Sequence, residues 1–249
     1  MGIKGLFQFL KRYRCQGSIV DKRVAVDIFT LLHASKGDIQ YVLTKMSEYS
    51  KIARQCVAVF DGSPSEERTN SLMYNAVRRN DILVMIEQIN MHIKNASDTD
   101  SITDRDRHFL EKYISELERQ AWIPSPEYMW SVHNALTSMN IGCIVAARGV
   151  EADRILVDLL QQDQIDIVIS NDSDIVANGG KAVMCLNGDY YNLGTILDGL
   201  EFTEGEWITF CKLCRALKHS DPDFVFTAMK VYEGDIELIE QRFSNLFHE

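Results

Sequence analysis

The chain has 249 residues, enough for one sizeable α/β core, and its 46% hydrophobic and 25% charged content is that of an ordinary globular protein. No apolar run approaches the roughly 18 residues of a membrane-spanning helix. Met1-Gly2-Ile3-Lys4-Gly5-Leu6 lacks both a secretory apolar core and a myristoylation pattern, so an intracellular protein without membrane attachment is expected, nucleus and cytoplasm undistinguished. The formal charge of −10 predicts modest, salt-sensitive affinity for any polyanion, but residues 1–23 set Lys4, Lys11, Arg12, Arg14, Lys22 and Arg23 against Asp21 alone, which leaves one open.

In chain order, a first helix is expected from Gly5 to about Tyr13, a strand at Val24–Asp27, and one helix from about Thr30 to Ser50. A second strand covers Cys56–Phe60. Ser63-Pro64-Ser65-Glu66-Glu67 then has the chemistry of a helix start, with Pro and acids in the first turn, and the pattern stays helical to about Asn95. The polar run Asn95–Asp104 reads as a loop, followed by helices at about Arg105–Gln120 and Glu127–Met139. Next come a strand at Ile141–Ala146, a helix at Glu151–Gln162 and a strand at Ile165–Ser170. Strand-like pieces at Ala182–Leu186 and Tyr190–Leu193 precede a helical remainder. Strands alternating with helices predict an α/β fold, a mostly parallel central sheet with helices on both faces. The long excursion between the second and third strands predicts a functional insertion such as a lid, clamp or arch.

Four apolar runs end in acids: Val24-Ala25-Val26-Asp27, Val57-Ala58-Val59-Phe60-Asp61-Gly62, Gly149-Val150-Glu151-Ala152-Asp153, and Ile167-Val168-Ile169-Ser170-Asn171-Asp172-Ser173-Asp174. Buried parallel strands deliver side chains in this way to their carboxyl edge, where open α/β sheets bind ligands. One such Asp alone is better read as a helix cap; four in register are not. Six converging carboxylates repel one another unless cations neutralise them, and an all-oxygen donor set favours Mg²⁺ or Mn²⁺. The chemistry indicated is metal-assisted reaction at phosphate. Asp27-Ile28-Phe29 lacks the second acid of the dehalogenase-type phosphatases, and no GxxxxGK[ST] loop occurs. Cys56, Cys143 and Cys185 are expected as reduced core residues, and Cys211-Lys212-Leu213-Cys214 as buried helix positions rather than a zinc or redox site.

Taken in order, these residues closely resemble the flap endonuclease/XPG-type structure-specific 5′ nuclease family, nearest in look to its mismatch-repair 5′ exonuclease branch. Met1-Gly2-Ile3-Lys4-Gly5-Leu6-Phe7-Gln8-Phe9-Leu10-Lys11 matches the family's opening, and the four acidic motifs match in order and approximate spacing. The resemblance covers roughly residues 1–215, and the compact form suits a divergent, viral-type member.

What the resemblance implies is a 5′ nuclease fold and two-metal phosphodiester hydrolysis. Asp27, Asp61, Glu151, Asp153, Asp172 and Asp174 would hold two Mg²⁺ ions, for which Mn²⁺ can substitute. Gly2 would pack near this pocket, with Lys4 beside it on the nucleic-acid side, and His33 falls where the exonuclease branch stacks a histidine on an unpaired nucleotide. A helical arch at about 63–122 would bring basic residues to the scissile phosphate. Arg68 takes the first such position; the second falls on Asn75, with Arg78 and Arg79 following as candidates. The implied division is a nuclease core at 1–195 and a helical C-terminal region at 196–249. That region departs from the family: Asp221 is the candidate for its seventh acid, no Gly-x-Gly hairpin follows, and 196–249 holds eleven acids against five bases. Three functions remain open on sequence: a DNA nuclease acting at 5′ flaps, nicks or 5′ ends, an endoribonuclease of single-stranded RNA on the same fold, and a non-catalytic binding or scaffold member. Protein partners are not indicated.

Overall fold

The computed structural model describes residues 2–63, 66–98, 102–216 and 221–243, with the side chains of 66–76, 78, 97, 98, 119, 120 and 240 outside the description. Six strands form one sheet: β1 (Arg23–Asp27), β2 (Gln55–Phe60), β3 (Gly142–Val145), β4 (Ile167–Ile169), β5 (Ala182–Met184) and β6 (Tyr190–Asn192). Their order is β3-β2-β1-β4-β5-β6. All neighbours are parallel except β6, which runs antiparallel to β5. Successive strand residues point to opposite faces, so the burial of Val24, Ala25, Val26 and Asp27 on β1, and of every residue of β4, means that both faces are covered. The chain winds outward from β1 in one direction through β2 and β3, then in the other through β4. The reversal therefore lies between β1 and β4, where Val24, Ala25 and Val26 pair with Ile167, Val168 and Ile169.

The helices that cover the sheet include α1 (Leu6–Leu10), α2 (Ile28–Ser35), α3 (Ile39–Ile52), α6 (Pro126–Ser138), α7 (Ala152–Gln161) and α8 (Asp174–Ala177). Where the sequence predicts one helix over Thr30–Ser50, the chain makes two. Lys36 and Gly37 both take left-handed backbone (φ 54° and 88°), and Asp38 restarts the helix by accepting hydrogen bonds from the amides of Gln40 and Tyr41. The break is held from outside: Tyr128 Oη donates to Gly37 O at 2.9 Å, and the Trp122 indole lies where a Gly37 side chain would be.

Between β2 and β3 stands a helical hairpin of α4 (Glu66–Asp98) and α5 (Asp104–Ala121), the latter capped by Thr103. The polar break is shorter than expected because α4 continues to Asp98. The predicted cap at Ser63-Pro64-Ser65 falls partly on residues outside the description. This hairpin has its own small core of Ile86, Ile114 and Leu117, flanked by Ile82, Ile89 and Ile93, separate from the main one. Val77, Val84, Met85, Met91 and Phe109 stay exposed on it.

The C-terminal helices α9 (Leu193–Leu200), α10 (Glu204–Ala216), α11 (Pro222–Val231) and α12 (Ile236–Arg242) belong instead to the main core. A Thr203–Glu206 capping box starts α10: Thr203 Oγ1 accepts from Glu206 N, and Glu206 Oε2 accepts from Thr203 N. Trp207 is then fully buried, its Nε1 donating to Val176 O at 3.1 Å, and Phe210 packs on Phe9 with ring centroids 5.4 Å apart. All six cysteines are free thiols. Cys185, Cys211 and Cys214 are buried as expected, but Cys56 and Cys143 are only half-buried because their strands lie toward the β3 edge. Burial pushes the Cys214 thiol up to about 12, which suits an inert core residue rather than a redox one. Among the described residues no helix is long and apolar enough to cross a membrane.

The amino ends of β1 and β4 are clamped by a bidentate pair. Arg23 Nη2 lies 2.6 Å from Asp166 Oδ1 and Nε 3.3 Å from Oδ2, while Arg23 N donates to Oδ2 at 2.7 Å. These hydrogen bonds hold the Asp166 carboxyl down to about 2. A depressed carboxylate stabilises the fold above its unfolded titration range, near pH 4, and loses that effect as pH falls through its folded value. Asp166→Asn is therefore expected to lower the melting temperature at pH 7. The gap from the parent protein should close between about pH 4 and pH 2 in thermal melts.

Candidate metal centre

The sheet order brings the four acidic motifs to one edge. Asp27 ends β1, Asp61 follows β2, Glu151 and Asp153 open α7 after β3, and Asp172 and Asp174 follow β4. The β1 and β4 acids straddle the point where the winding reverses, the place at which open α/β sheets form a ligand crevice. Gly62 brings the second and third motifs together. Its amide donates to Val150 O at 3.0 Å, and a side chain there would run into the backbone of Ala146 and Ala147.

Asp27 is 7% exposed, and its carboxylate sits in a network of hydroxyls and amides. Thr30 Oγ1 donates to its Oδ2 at 2.8 Å and Ser170 Oγ to the same atom at 2.7 Å, while Thr30 N donates to Oδ1 at 3.3 Å. Each hydroxyl in turn accepts an amide from the β4 loop, Asn171 N on Thr30 and Asp172 N on Ser170. Burial pushes the Asp27 carboxyl above the ordinary range, these hydrogen bonds pull it back, and the Asp61 charge pushes it up further. Asp61 accepts the amide of Ala152 at 2.7 Å, which ties the end of β2 to the start of α7. Asp153 is raised to about 6, first by burial, then by Glu151, with Asp174 and Asp172 adding to the effect against the Arg154 amide. Glu151, Asp172 and Asp174 thus all lie within electrostatic reach of Asp153. Asp172 Oδ1 accepts the amide of Asp174 at 2.9 Å. Arg215, at the end of α10, places Nη2 2.9 Å from both Asp174 Oδ1 and Asn178 Oδ1.

The donor set is all oxygen and anionic, with Asp27 and Asp153 raised by burial and by neighbouring acids, which fits hard divalent cations. Among the described residues, no three possible ligands stand close enough to share one ion in this arrangement. The fit therefore rests on charge and donor chemistry, and the acids would have to draw in around an ion.

The remaining predicted residues are spread around this edge. His33 is exposed in the last turn of α2, its ring 6.2 Å from Phe29 and 6.1 Å from Trp122, edge-on to the latter, near the foot of the hairpin. Lys4 is exposed just before α1. Arg79 is exposed on α4, whereas the side chains of Arg68, Asn75 and Arg78 lie outside the described residues. Asp221 is the N-cap of α11, accepting from Asp223 N at 3.0 Å, and is not among the charges that raise Asp153.

No family model matches the chain. Flap endonuclease 1 of Theileria parva is 25% identical over 282 aligned positions, covering 96% of this chain and 53% of that protein. The chain spans about half the length of the curated relatives it matches. The catalytic core of Rad2 in complex with a DNA substrate superposes with a TM-score of 0.62 at 17% identity, over 98% of this chain and 70% of that one. The fold is that of the flap endonuclease/Rad2 nuclease core. The T5 D15 protein co-crystallised with metal ions shares this 5′ nuclease fold, with a TM-score of 0.51 and 14% identity over 88% of this chain and 78% of that one.

Within this 5′ nuclease fold, sequence reasoning missed Thr30, Ser170 and Arg215. A Thr three residues after a strand-end Asp and a Ser closing an apolar run were the available signals for the first two; Arg215 had none. Gly2 lies against the same loop: any side chain on it would collide with Asp172 Oδ1 and Ser173 Oγ. Ser170→Ala removes a buried hydrogen bond to a carboxylate and strands the Asp172 amide, so denaturant unfolding is expected to show a loss of about 2 kcal/mol. Gly2→Ala is expected to leave the melting temperature within a few degrees while weakening Mn²⁺ binding, read by calorimetry, about tenfold or more through displacement of the 172–173 loop.

Proposed function

We propose that the chain is a divalent-metal-dependent nuclease that hydrolyses DNA phosphodiester bonds at 5′ flaps, nicks or 5′ ends. The observation that carries this reading is the convergence of four acidic motifs on the carboxyl edge of the sheet, with Asp27 held in a hydroxyl network at the β1–β4 crevice. It is supported by similarity to a flap endonuclease along nearly the whole chain, by the Rad2 core's crystallisation with a DNA substrate, and by the T5 protein's crystallisation with metal ions.

Asp27, Asp61, Glu151, Asp153, Asp172 and Asp174 would hold two Mg²⁺ or Mn²⁺ ions, whose chemistry is to activate a water and to stabilise the leaving oxygen. The chain's own residues then divide the work. Thr30 and Ser170 orient Asp27 and favour its charged form against the cost of burial, and the bare Cα of Gly2 lets the start of the chain pack against the Asp172–Ser173 loop. His33 and Trp122 offer aromatic surface to an unpaired base, Lys4 and Arg79 exposed positive charge to the backbone. Arg68 and Arg78 are further candidates on the hairpin. On this reading residues 1–195 are the nuclease core with its arch at about 63–122, and 196–249 a divergent duplex-binding element in which Asp221 serves as a seventh acid. The opening run and His33 support the mismatch-repair exonuclease branch, in a divergent, viral-type and intracellular member.

A second reading keeps the chemistry and changes the substrate to single-stranded RNA. It is favoured by the eleven acids against five bases in 196–249, which weaken duplex anchoring. The deciding experiment compares matched 5′-flap DNA, nicked duplex, single-stranded DNA and single-stranded RNA, with Mg²⁺ and with EDTA, for the parent protein and Asp172→Ala. Mg²⁺-dependent cleavage of flap or nicked DNA is expected, reduced at least about 100-fold in the variant. Preference for RNA would move the chain to the second reading. Silence on all four substrates by folded protein would overturn catalysis and leave a binding or scaffold role.

A further inference from the structure

One side chain of the edge has the wrong sign for an ion-binding cluster. Arg215 leaves the last turn of α10 and divides its Nη2 between Asp174 Oδ1 and Asn178 Oδ1, each at 2.9 Å. These are the first residue and the C-cap of α8, so the guanidinium brackets that short helix from end to end. The helix that carries it is firmly seated. Trp207, Phe210 and Leu213 bury the same face of α10, and Trp207 Nε1 is bonded to Val176 O in the middle of α8. The Asp174 side chain is 17% exposed and that of Arg215 41%, so the pair is half-buried, with its carboxylate on the buried side.

We propose that Arg215 is a built-in cation of the acidic cluster. It takes over, at the Asp174 end, part of the charge compensation that a divalent ion would otherwise supply. The inference rests on the ion-binding role proposed for these acids. Asp174 Oδ1 is already engaged, so Asp174 can offer an ion one oxygen rather than two. A fixed positive charge at hydrogen-bond distance also lowers the negative potential that would draw an ion in. Ion binding at this end is therefore weaker than the acids alone would make it. It is completed when a substrate phosphate restores the negative charge that Arg215 removes.

The test is titration of the protein alone with Mn²⁺, by calorimetry and by the loss of free-ion electron paramagnetic resonance signal. Arg215→Gln is expected to bind Mn²⁺ about tenfold more tightly, or to bind one further ion, because it frees Asp174. Arg215→Lys, which keeps the charge, should stay near the parent protein. Adding Asp174→Asn to Arg215→Gln should abolish the gain. Arg215→Met, which keeps the packing of the stem, replaces Arg215→Gln if the latter fails to fold. Unchanged or weaker binding in the folded Arg215 variants, with the parent protein still binding Mn²⁺, would overturn this inference and leave the metal centre standing. Absence of binding by parent and variants alike would overturn both.

Discussion

The arrangement depends on one buried charge. Asp27 sits at the end of the central strand, where an isolated carboxylate would be strongly penalised, and the fold answers with two hydroxyls on a single oxygen. The same hydroxyls accept backbone amides from the β4 loop, so holding Asp27 and holding the loop that carries Asp172 are one interaction. Asp27 is also the N-cap of α2, which means that it joins strand, helix and neighbouring loop at once. The cap and the site are two uses of one side chain, and choosing between them is unnecessary.

From that centre the other acids are positioned by backbone contacts that leave little freedom. Asp61 is tied to the first amide of α7, and the lack of a side chain at Gly62 lets the β2 and β3 loops touch. Charge accumulates because several strand ends meet, and Arg215 meets it from the far side of α8. At the opposite edge of the sheet, Arg23 and Asp166 register β1 against β4 without taking part in the site. One end of the β1–β4 pair is thus closed by a complete ion pair. The other is built from like charges and is left in need of a ligand.

How much was legible follows from the range of the interactions. The strands and their terminal acids were readable because β-branched runs and the residues that end them are local signals, and the predicted parallel sheet is the one found. The α2–α3 break was not, because it rests on Lys36 in a left-handed conformation and on Trp122 and Tyr128 from a distant segment. Ser170 acquires its role only when β4 pairs with β1, 143 residues away in the chain, and Arg215 only when α10 docks on α8. Asp221 carried the local signal of a helix start, Asp-Pro-Asp, and it caps α11 there, as Asp27 caps α2. Chemistry written at strand ends could be read; chemistry made by packing could not.

The separate core of the α4–α5 hairpin has a consequence for how the molecule moves. Ile86, Ile114 and Leu117 hold the two helices to each other, while the sheet is held by a different and much larger set of side chains. The free energy of parting the helices is then decoupled from that of unfolding the domain. Amide hydrogens in the hairpin should trade with deuterium on a faster tier than those of β1 and β4, and the hairpin can loosen and re-form above an intact sheet. Among the described residues, that loosening is resisted by Ile86, Ile114 and Leu117 with Ile82, Ile89 and Ile93 packed against them.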